Sequence, residues 1–252
     1  MMNVLSIGNS FSNNAHRFLP KMVQADGGEM MLCNLYIGGC SLETHWNNWR
    51  KEKTDYEYEI YLPFETEMTK ANEVALHEAV EDEEWDVITL QQCSPLSGIR
   101  ESYTPYLSEL AEYCRMVQPN AKIMLHQTWA YDKNCPLTAF SNYGRSQQEM
   151  YRMLTEAYVD AALEADIDII IPSGRAWQTA RNTIGDKLTE VDGYHGNDLG
   201  CYLAGACFYE TIFGKSIYDN KFELPDIDKG IMETLKICAH TAVEKGIIRN
   251  GY

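Results

Sequence analysis

Residues 3–10 read NVLSIGNS, and this stretch decides the fold. It is a short apolar run that stops at a glycine, an asparagine and a serine, which is typical of a buried strand ending in a turn. Asn13–Ala25 follows with four apolar side chains at the spacing of one helix face, namely Phe18, Leu19, Met22 and Val23. A buried strand followed directly by a helix is the unit from which parallel sheets are built.

The same alternation of strands and helices continues along the chain. Further strands are predicted at Met30–Ile37, Trp85–Leu90, Ala121–His126 and Ile167–Pro172. Helices are predicted at Tyr106–Val117, Gln147–Glu164 and Leu199–Phe213. This order predicts an α/β fold with a central, mostly parallel sheet of about five strands. No repeat or linker divides residues 1–252, and we interpret them as one domain.

A longer insert, Lys51–Glu84, separates the second and third predicted strands. Within it, Asp55–Leu62 alternates with period two, which indicates a hairpin or edge strand. Asn72–Glu84 is interpreted as an acidic helix. The acidic run at its end, Glu81–Glu84, fits a solvated helix end better than a cation site.

The charge of the chain excludes several classes of partner. Lys and Arg total 21 against 37 Asp and Glu, a net charge of −16 that repels nucleic acid and anionic membranes. No apolar run is long enough to span a bilayer. We therefore expect neither nucleic acid nor a membrane as partner, and the sequence carries no signal for an oligomeric state.

The cysteines and histidines show no metal-site spacing. Eight cysteines without a C-x-x-C pair indicate reduced thiols, and we expect a cytoplasmic protein, although removal of a signal peptide would leave the same start. The histidines form neither H-x-x-H nor H-E-x-x-H. We therefore predict no metal and no cofactor.

Reactive groups of an open parallel sheet lie where strands end and helices begin. Ser10 has that position after the first strand, where it is either a nucleophile or the N-cap of the next helix. Near the other end of the chain, Asp192 and His195 form a D-x-x-H tetrad in which the carboxylate can orient the imidazole. Asp186 and Asp198 are alternatives for that carboxylate.

Three blocks of the sequence resemble the SGNH/GDSL hydrolases. They are GNSFS at residues 8–12, GGCSL at residues 38–42 with Trp46 after it, and the D-x-x-H tetrad. Their order and separation cover nearly the whole chain. The resemblance implies a three-layer α/β/α sandwich of the SGNH, flavodoxin-like kind, with Ser10 as nucleophile, His195 as base and Asp192 as its partner.

The resemblance also implies an oxyanion hole formed by backbone N–H groups of Ser10 and Gly39 and by a side-chain amide. The family usually has G-D-S-L and G-x-N-D, whereas this chain has Asn9 and Phe11 in the first block and QQCS at residues 91–94. The amide donor would then be Gln91 or Gln92, as in the similar sialate O-acetylesterase-like branch. We prefer Gln91, because it follows the predicted strand directly.

The family likeness implies a serine esterase that removes a short acyl group, usually acetyl, from a carbohydrate or another hydroxyl-rich small molecule. Gln92, His126 and Trp129 are candidate substrate-binding residues, although packing in the core is equally compatible with Trp129. A lysophospholipase or thioesterase of the same fold is one alternative. A catalytically silent carbohydrate-binding protein is the other.

Overall fold

A computed structural model describes residues 1–248, and one sheet of eight strands runs through this part of the chain. The strands are β1 (Met2–Gly8), β2 (Met30–Tyr36), β3 (Tyr56–Tyr61), β4 (Thr69–Val74), β5 (Val87–Leu90), β6 (Lys122–His126), β7 (Ile169–Ile171) and β8 (Ile247–Ile248). Their order across the sheet is β4-β3-β2-β1-β5-β6-β7-β8.

The centre of the sheet is parallel and its edges are antiparallel. β1 pairs in parallel with β2 and with β5, and parallel pairing continues through β6 to β7. β3 and β4 extend the sheet by antiparallel pairing beyond β2, and β8 does so beyond β7. The predicted α/β class and the parallel sheet of about five strands are confirmed, and three antiparallel strands add to it.

Helices form a layer on each face of the sheet. They are α1 (Ser10–His16), α2 (Leu19–Ala25), α3 (Leu42–Arg50), α4 (Leu76–Glu81), α5 (Tyr106–Val117), α6 (Gln147–Glu164), α7 (Ser173–Ile184), α8 (Asp198–Phe213) and α9 (Lys229–Glu244). α1, α2, α7 and α9 all contact α8, whereas α3, α4 and α5 contact one another. The result is a three-layer α/β/α arrangement.

The direction in which the chain winds changes between β1 and β5. After β1 the chain crosses to β2 on one side, and after β5 it crosses to β6 on the other. The connections that leave β1 and β5 therefore separate, which opens a crevice at the carboxyl ends of these two strands. Ser10 begins α1 at this crevice.

The structure corrects the predicted first helix. The segment expected as one helix over Asn13–Ala25 forms α1 and α2, with a break at Arg17 and Phe18. Pro20 lies in the first turn of α2, where a residue without an N–H group is tolerated, but it could not continue α1.

The insert Lys51–Glu84 also differs from its prediction. The expected edge strand is β3, but the segment expected as a helix over Asn72–Glu84 starts as β4 and becomes helical only at α4. β4 pairs with β3 through its backbone, which covers hydrogen-bonding groups that β3 would otherwise expose at the sheet edge.

α8 is the most deeply buried helix next to the crevice. Every residue from Gly200 to Glu210 is buried, which fits a helix that is apolar on all sides. Gly205 allows close contact, because a Cβ there would lie 3.0 Å from the backbone oxygen of Ala15 in α1. α8 thus fixes the position of the helix that carries Ser10.

All eight cysteines are unpaired and buried. Burial raises the pKa of each thiol, to about 12 for Cys33 and Cys114 and to about 11 for Cys93. Among the described residues, no helix is both long and apolar enough to cross a bilayer.

Candidate active site

The turn after β1 presents the hydroxyl of Ser10. Asn9 is the N-cap of α1, since its Oδ1 accepts a hydrogen bond from the backbone N–H of Phe11 at 3.0 Å. Ser12 completes the cap, because its Oγ accepts from the N–H of Asn9 at 3.1 Å. The capping role considered for Ser10 therefore belongs to its neighbours, and the Ser10 side chain is left for other contacts.

Ser10, His195 and Asp192 form a continuous hydrogen-bonded triad. His195 Nε2 lies 2.8 Å from Ser10 Oγ, and His195 Nδ1 lies 2.7 Å from Asp192 Oδ2. Both distances are within hydrogen-bonding range. Because its Nδ1–H donates a hydrogen bond to the carboxylate, the imidazole can accept the serine proton at Nε2. Residues 185 positions apart in sequence thus meet at the crevice.

The carboxylate of the triad is held by its own loop. Asp192 Oδ1 accepts hydrogen bonds from the backbone N–H groups of Tyr194 and His195, each at 3.0 Å. Partial burial raises the pKa of Asp192, but the Tyr194 N–H and the His195 ring and N–H outweigh it, so the pKa is below its usual value. Asp192 is therefore ionised at neutral pH and can stabilise an imidazolium.

The two alternative carboxylates are occupied elsewhere. Asp186 Oδ1 lies 3.1 Å from Nε of Arg181 and accepts a hydrogen bond from Gln147. Asp198 forms an exposed ion pair with Arg17 at 2.7 Å. Neither is hydrogen-bonded to His195 in the described contacts, so Asp192 is the carboxylate of this site.

Contacts to α1, to α8 and to a buried tryptophan hold the loop that carries His195. Gly196 N–H donates to Asn14 Oδ1 of α1 at 2.9 Å. Asn197 caps α8 through its Oδ1, and its Nδ2 donates to the backbone oxygens of Lys187 and Thr189. Trp129 Nε1 donates to the backbone oxygen of Tyr194 at 2.8 Å. His195 is therefore anchored to α1, which carries Ser10, and to α8.

Gly39 belongs to the turn that follows β2. It follows β2 with a φ of +66°, a conformation that favours glycine, and it lines the same cavity as Ser10. The next residue, Cys40, is joined to the nucleophile turn because its backbone oxygen accepts from Asn9 Nδ2 at 3.0 Å. Two of the predicted oxyanion-hole residues, Ser10 and Gly39, are thus brought together.

The contacts of the two glutamines do not support the predicted amide donor. Gln91 is buried, its Nε2 donates to Asn9 Oδ1 at 2.7 Å, and its Oε1 lies 2.8 Å from His126 Nδ1. Gln92 is also buried, and its Nε2 donates to Ser102. Neither side chain lines the cavity. Both amides stabilise loops of the protein interior instead.

The three candidate substrate-binding residues are also interior residues. Gln92, His126 and Trp129 are all fully buried and absent from the cavity wall. Trp129 stacks between Phe11, at a ring distance of 4.4 Å, and Trp177, at 4.2 Å. None of the three predicted substrate-binding residues therefore reaches the cavity in this structure.

The cavity beside the triad has a volume of about 370 Å³. Its wall consists of Asn9, Ser10, Phe11, Tyr36, Gly38, Gly39, Ser94, Pro95, Leu137, Tyr194 and His195. Within the described part of the chain, no Asp, Glu, Lys or Arg lines this cavity. The sequence interpretation missed the aromatic wall, although Tyr36 lies next to the last residue of a predicted strand and Tyr194 lies inside the D-x-x-H tetrad.

A larger cavity of about 790 Å³ lies at the amino ends of the strands, next to Met1 and Asn3. The acidic run Glu81–Glu84 borders it. Among residues 1–248, no group of His, Cys, Asp and Glu side chains is arranged to hold a metal ion. Reactive groups of such sheets gather at the carboxyl edge, where the triad lies, and we place the functional site there.

Known proteins share this fold. A DUF4886 family protein from Bacteroides uniformis is 38% identical, with a TM-score of 0.93 over 96% of this chain and 95% of its own. A candidate SGNH hydrolase from Slackia heliotrinireducens is 21% identical, with a TM-score of 0.56 over 84% of this chain and 98% of its own. No curated protein matches the chain.

A catalytic mutant of an acetylxylan esterase from Geobacillus stearothermophilus is 12% identical, with a TM-score of 0.52 over 84% of this chain and 94% of its own. The resemblance to SGNH hydrolases is thus confirmed in the fold. The family described as domain of unknown function DUF4886 matches residues 3–242. The chain therefore belongs to the DUF4886 family and has the fold of the SGNH hydrolases.

Proposed function

We propose that the protein is a serine esterase that removes a short acyl group, preferably acetyl, from a carbohydrate or similar hydroxyl-rich molecule. The observation that carries the proposal is the unbroken series of contacts from Ser10 through His195 to Asp192. The cavity beside Ser10 supplies a place for the ester.

The reaction proceeds in two steps. In the first, Ser10 Oγ attacks the ester carbonyl while His195 Nε2 takes the hydroxyl proton, and the leaving alcohol then receives that proton as the acyl group is transferred to Ser10. In the second, His195 takes a proton from water, which attacks the acyl-serine, and His195 then returns this proton to Ser10 Oγ as the acid is released. Asp192 stabilises the imidazolium formed in each step.

Backbone N–H groups of Ser10 and Gly39 stabilise the negative charge on the carbonyl oxygen. Ser10 is the first residue of α1, where N–H groups have no partner within the helix. Gly39 lines the same cavity. A well-placed donor of this kind contributes on the order of 100- to 1000-fold to the rate.

The wall of the cavity favours a small, uncharged ester. Phe11, Tyr36, Leu137 and Tyr194 provide apolar surface, and among residues 1–248 no Asp, Glu, Lys or Arg lines the cavity to bind an ionic group. A structural neighbour is described as an acetylxylan esterase, which agrees with an acetyl group on a sugar.

The first test compares the wild-type protein with Ser10→Ala. We expect wild-type protein to hydrolyse nitrophenyl acetate and to react with a fluorophosphonate probe, and Ser10→Ala to lose both because no nucleophile remains. Ser216→Ala is the control, since Ser216 caps a short helical turn outside the cavity. Full turnover by Ser10→Ala would exclude Ser10 as nucleophile, and an inert wild-type protein would favour a silent binding protein.

A panel of esters separates the proposed activity from its alternative within the same fold. Acetylated sugars, short nitrophenyl esters and long-chain thioesters are to be compared by kcat/KM. A cavity of about 370 Å³ should favour the short acyl groups. Preference for long chains would instead indicate a lysophospholipase or thioesterase.

A further inference from the structure

Asn9 connects the two loops that carry the proposed oxyanion donors. Its Oδ1 accepts from the N–H of Phe11, which fixes the turn around Ser10, and its Nδ2 donates to the backbone oxygen of Cys40, the neighbour of Gly39. Asn9 is 1% exposed, so water does not compete for these bonds. One side chain therefore sets the distance between the nucleophile turn and the Gly39 turn.

A series of buried side chains fixes which way the Asn9 amide faces. Gln91 Nε2 donates to Asn9 Oδ1 at 2.7 Å, so Gln91 Oε1 must face His126 Nδ1, which is 2.8 Å away. His126 Nδ1 therefore carries the proton, and His126 Nε2 accepts from the hydroxyl of Ser173 at 3.2 Å. Each donor in this series has its acceptor.

The imidazole in this series stays neutral. Burial lowers the pKa of His126 to about 3, with a smaller contribution from His16. At neutral pH it therefore keeps one donor and one acceptor nitrogen. The direction of the hydrogen bonds from Ser173 to Asn9 is then maintained.

We infer that Asn9 is a positioning residue for the proposed reaction, held by Gln91, His126 and Ser173, and that its donor bond to Cys40 places Gly39 against Ser10. This inference rests on the proposed function. The inference also gives Gln91 a role although its side chain does not reach the cavity, because its amide orients the Asn9 side chain. An aspartate at position 9 could accept the bonds from Phe11 and Gln91 but, when ionised, could not donate to Cys40.

The test is Asn9→Asp, which has the same shape and, when ionised, replaces the donor to Cys40 with a negative charge. Asn220→Asp is a closely matched control. Asn220 is also buried, its Oδ1 accepts from the N–H of Phe222 two residues on, and its Nδ2 donates to the backbone oxygen of Met22. Each variant therefore loses a hydrogen bond from an asparagine Nδ2 to a backbone oxygen, at the Gly39 turn in one case and at Met22 in the other.

We expect Asn9→Asp to lower kcat by on the order of 10- to 100-fold, because one oxyanion donor is displaced, with KM within about threefold of wild type. Asn220→Asp should leave kcat unchanged. Equal kcat values in the two variants would overturn the inference. If the wild-type protein itself did not hydrolyse esters, the proposed function would be refuted instead.

Hydrogen exchange tests the positioning without any turnover. The N–H of Cys40 donates to the backbone oxygen of Ile37 at 3.1 Å, within the turn that contains Gly39. Asn9→Asp should speed exchange at the Cys40 amide about fivefold or more, and Asn220→Asp should not. If Asn9→Asp does not fold, Asn9→Gly replaces it, because glycine is tolerated as an N-cap. Unchanged exchange would contradict the inference.

Discussion

At the scale of single residues, Asp192 sets the tautomer of the proposed base. Its Oδ1 accepts two backbone N–H groups, so its Oδ2 is the atom that faces His195 Nδ1. The negative charge on this atom requires the imidazole proton to be on Nδ1. His195 Nε2 is then an acceptor for the hydroxyl of Ser10.

Asp192→Asn should therefore lower kcat on the order of a thousandfold or more while the protein stays folded. The new Oδ1 still accepts the two backbone N–H groups, so the new Nδ2 faces His195 and moves the ring proton to Nε2. Esterase kinetics and a melting curve measure both effects. Asp198→Asn, which loses only an exposed ion pair with Arg17, is the control, and an equal loss in both variants would contradict the prediction.

The triad was predictable at this scale, but the amide contacts were not. Ser10 stands at a strand end and Asp192 and His195 lie within one tetrad, so local sequence and family likeness identify them. The partners of Gln91 are Asn9 and His126, which come from other strand ends. Such partners depend on the packing of the sheet, which no local pattern reveals.

At the scale of helices, the N-cap of α8 also supports the loop that carries His195. Asn197 Oδ1 accepts from the N–H groups of Leu199 and Gly200, and its Nδ2 donates to the backbone oxygens of Lys187 and Thr189. The start of α8 and the segment before His195 are thus joined through one side chain. A change there affects stability and the position of the base together.

Asn197→Ala should lower the free energy of unfolding by about 2 kcal/mol, with the lost cap and the two lost loop bonds both contributing. We also expect a several-fold lower kcat, because His195 is less well held. Asp228→Ala is the matched control, since Asp228 caps α9 through the same two kinds of N–H contact. That control should lose about 1 kcal/mol of stability and keep its kcat. Unchanged kcat in Asn197→Ala would disprove the coupling.

Helix and strand boundaries were predicted unevenly, for physical reasons. α5 and α6 have the expected bounds because their apolar residues repeat at helical spacing. The end of β4, residues 72–74, was predicted as helix because its residues lack the alternation of a half-buried strand. Its extended conformation comes from pairing with β3, which is a tertiary contact.

At the scale of the whole molecule, three fully buried histidines make stability depend on pH. Burial lowers the pKa of His16, His45 and His126, each to about 3. In the unfolded chain each side chain binds a proton near pH 6.5, so below that pH the unfolded state binds more protons than the folded state. The free energy of unfolding therefore falls as the pH decreases from about 6.5 to about 3.

We expect this loss to reach about 4 kcal/mol per pH unit in the steepest region, and hence acid unfolding within this range. Urea unfolding at a series of pH values measures it. His45→Gln should reduce the slope by about a third while its amide still meets the hydroxyl of Tyr56. His77→Gln, at a partly exposed position on α4, should keep the wild-type slope, and identical slopes in both variants would contradict the assignment.

The overall architecture was predictable because five buried apolar runs separated by helical patterns leave few alternatives for a parallel sheet. The antiparallel strands at the two edges of the sheet were less predictable. β8 is only two residues long, and no periodic pattern can identify a strand of that length.

The burial of every cysteine has a practical consequence. Alkylating reagents attack thiolates, and here each sulfur is both shielded from the reagent and kept protonated at neutral pH. The folded chain should therefore tolerate iodoacetamide without modification, whereas any opening of the interior would be recorded as added mass. The eight cysteines, which are distributed from β2 to α9, can therefore be used to detect local unfolding by alkylation.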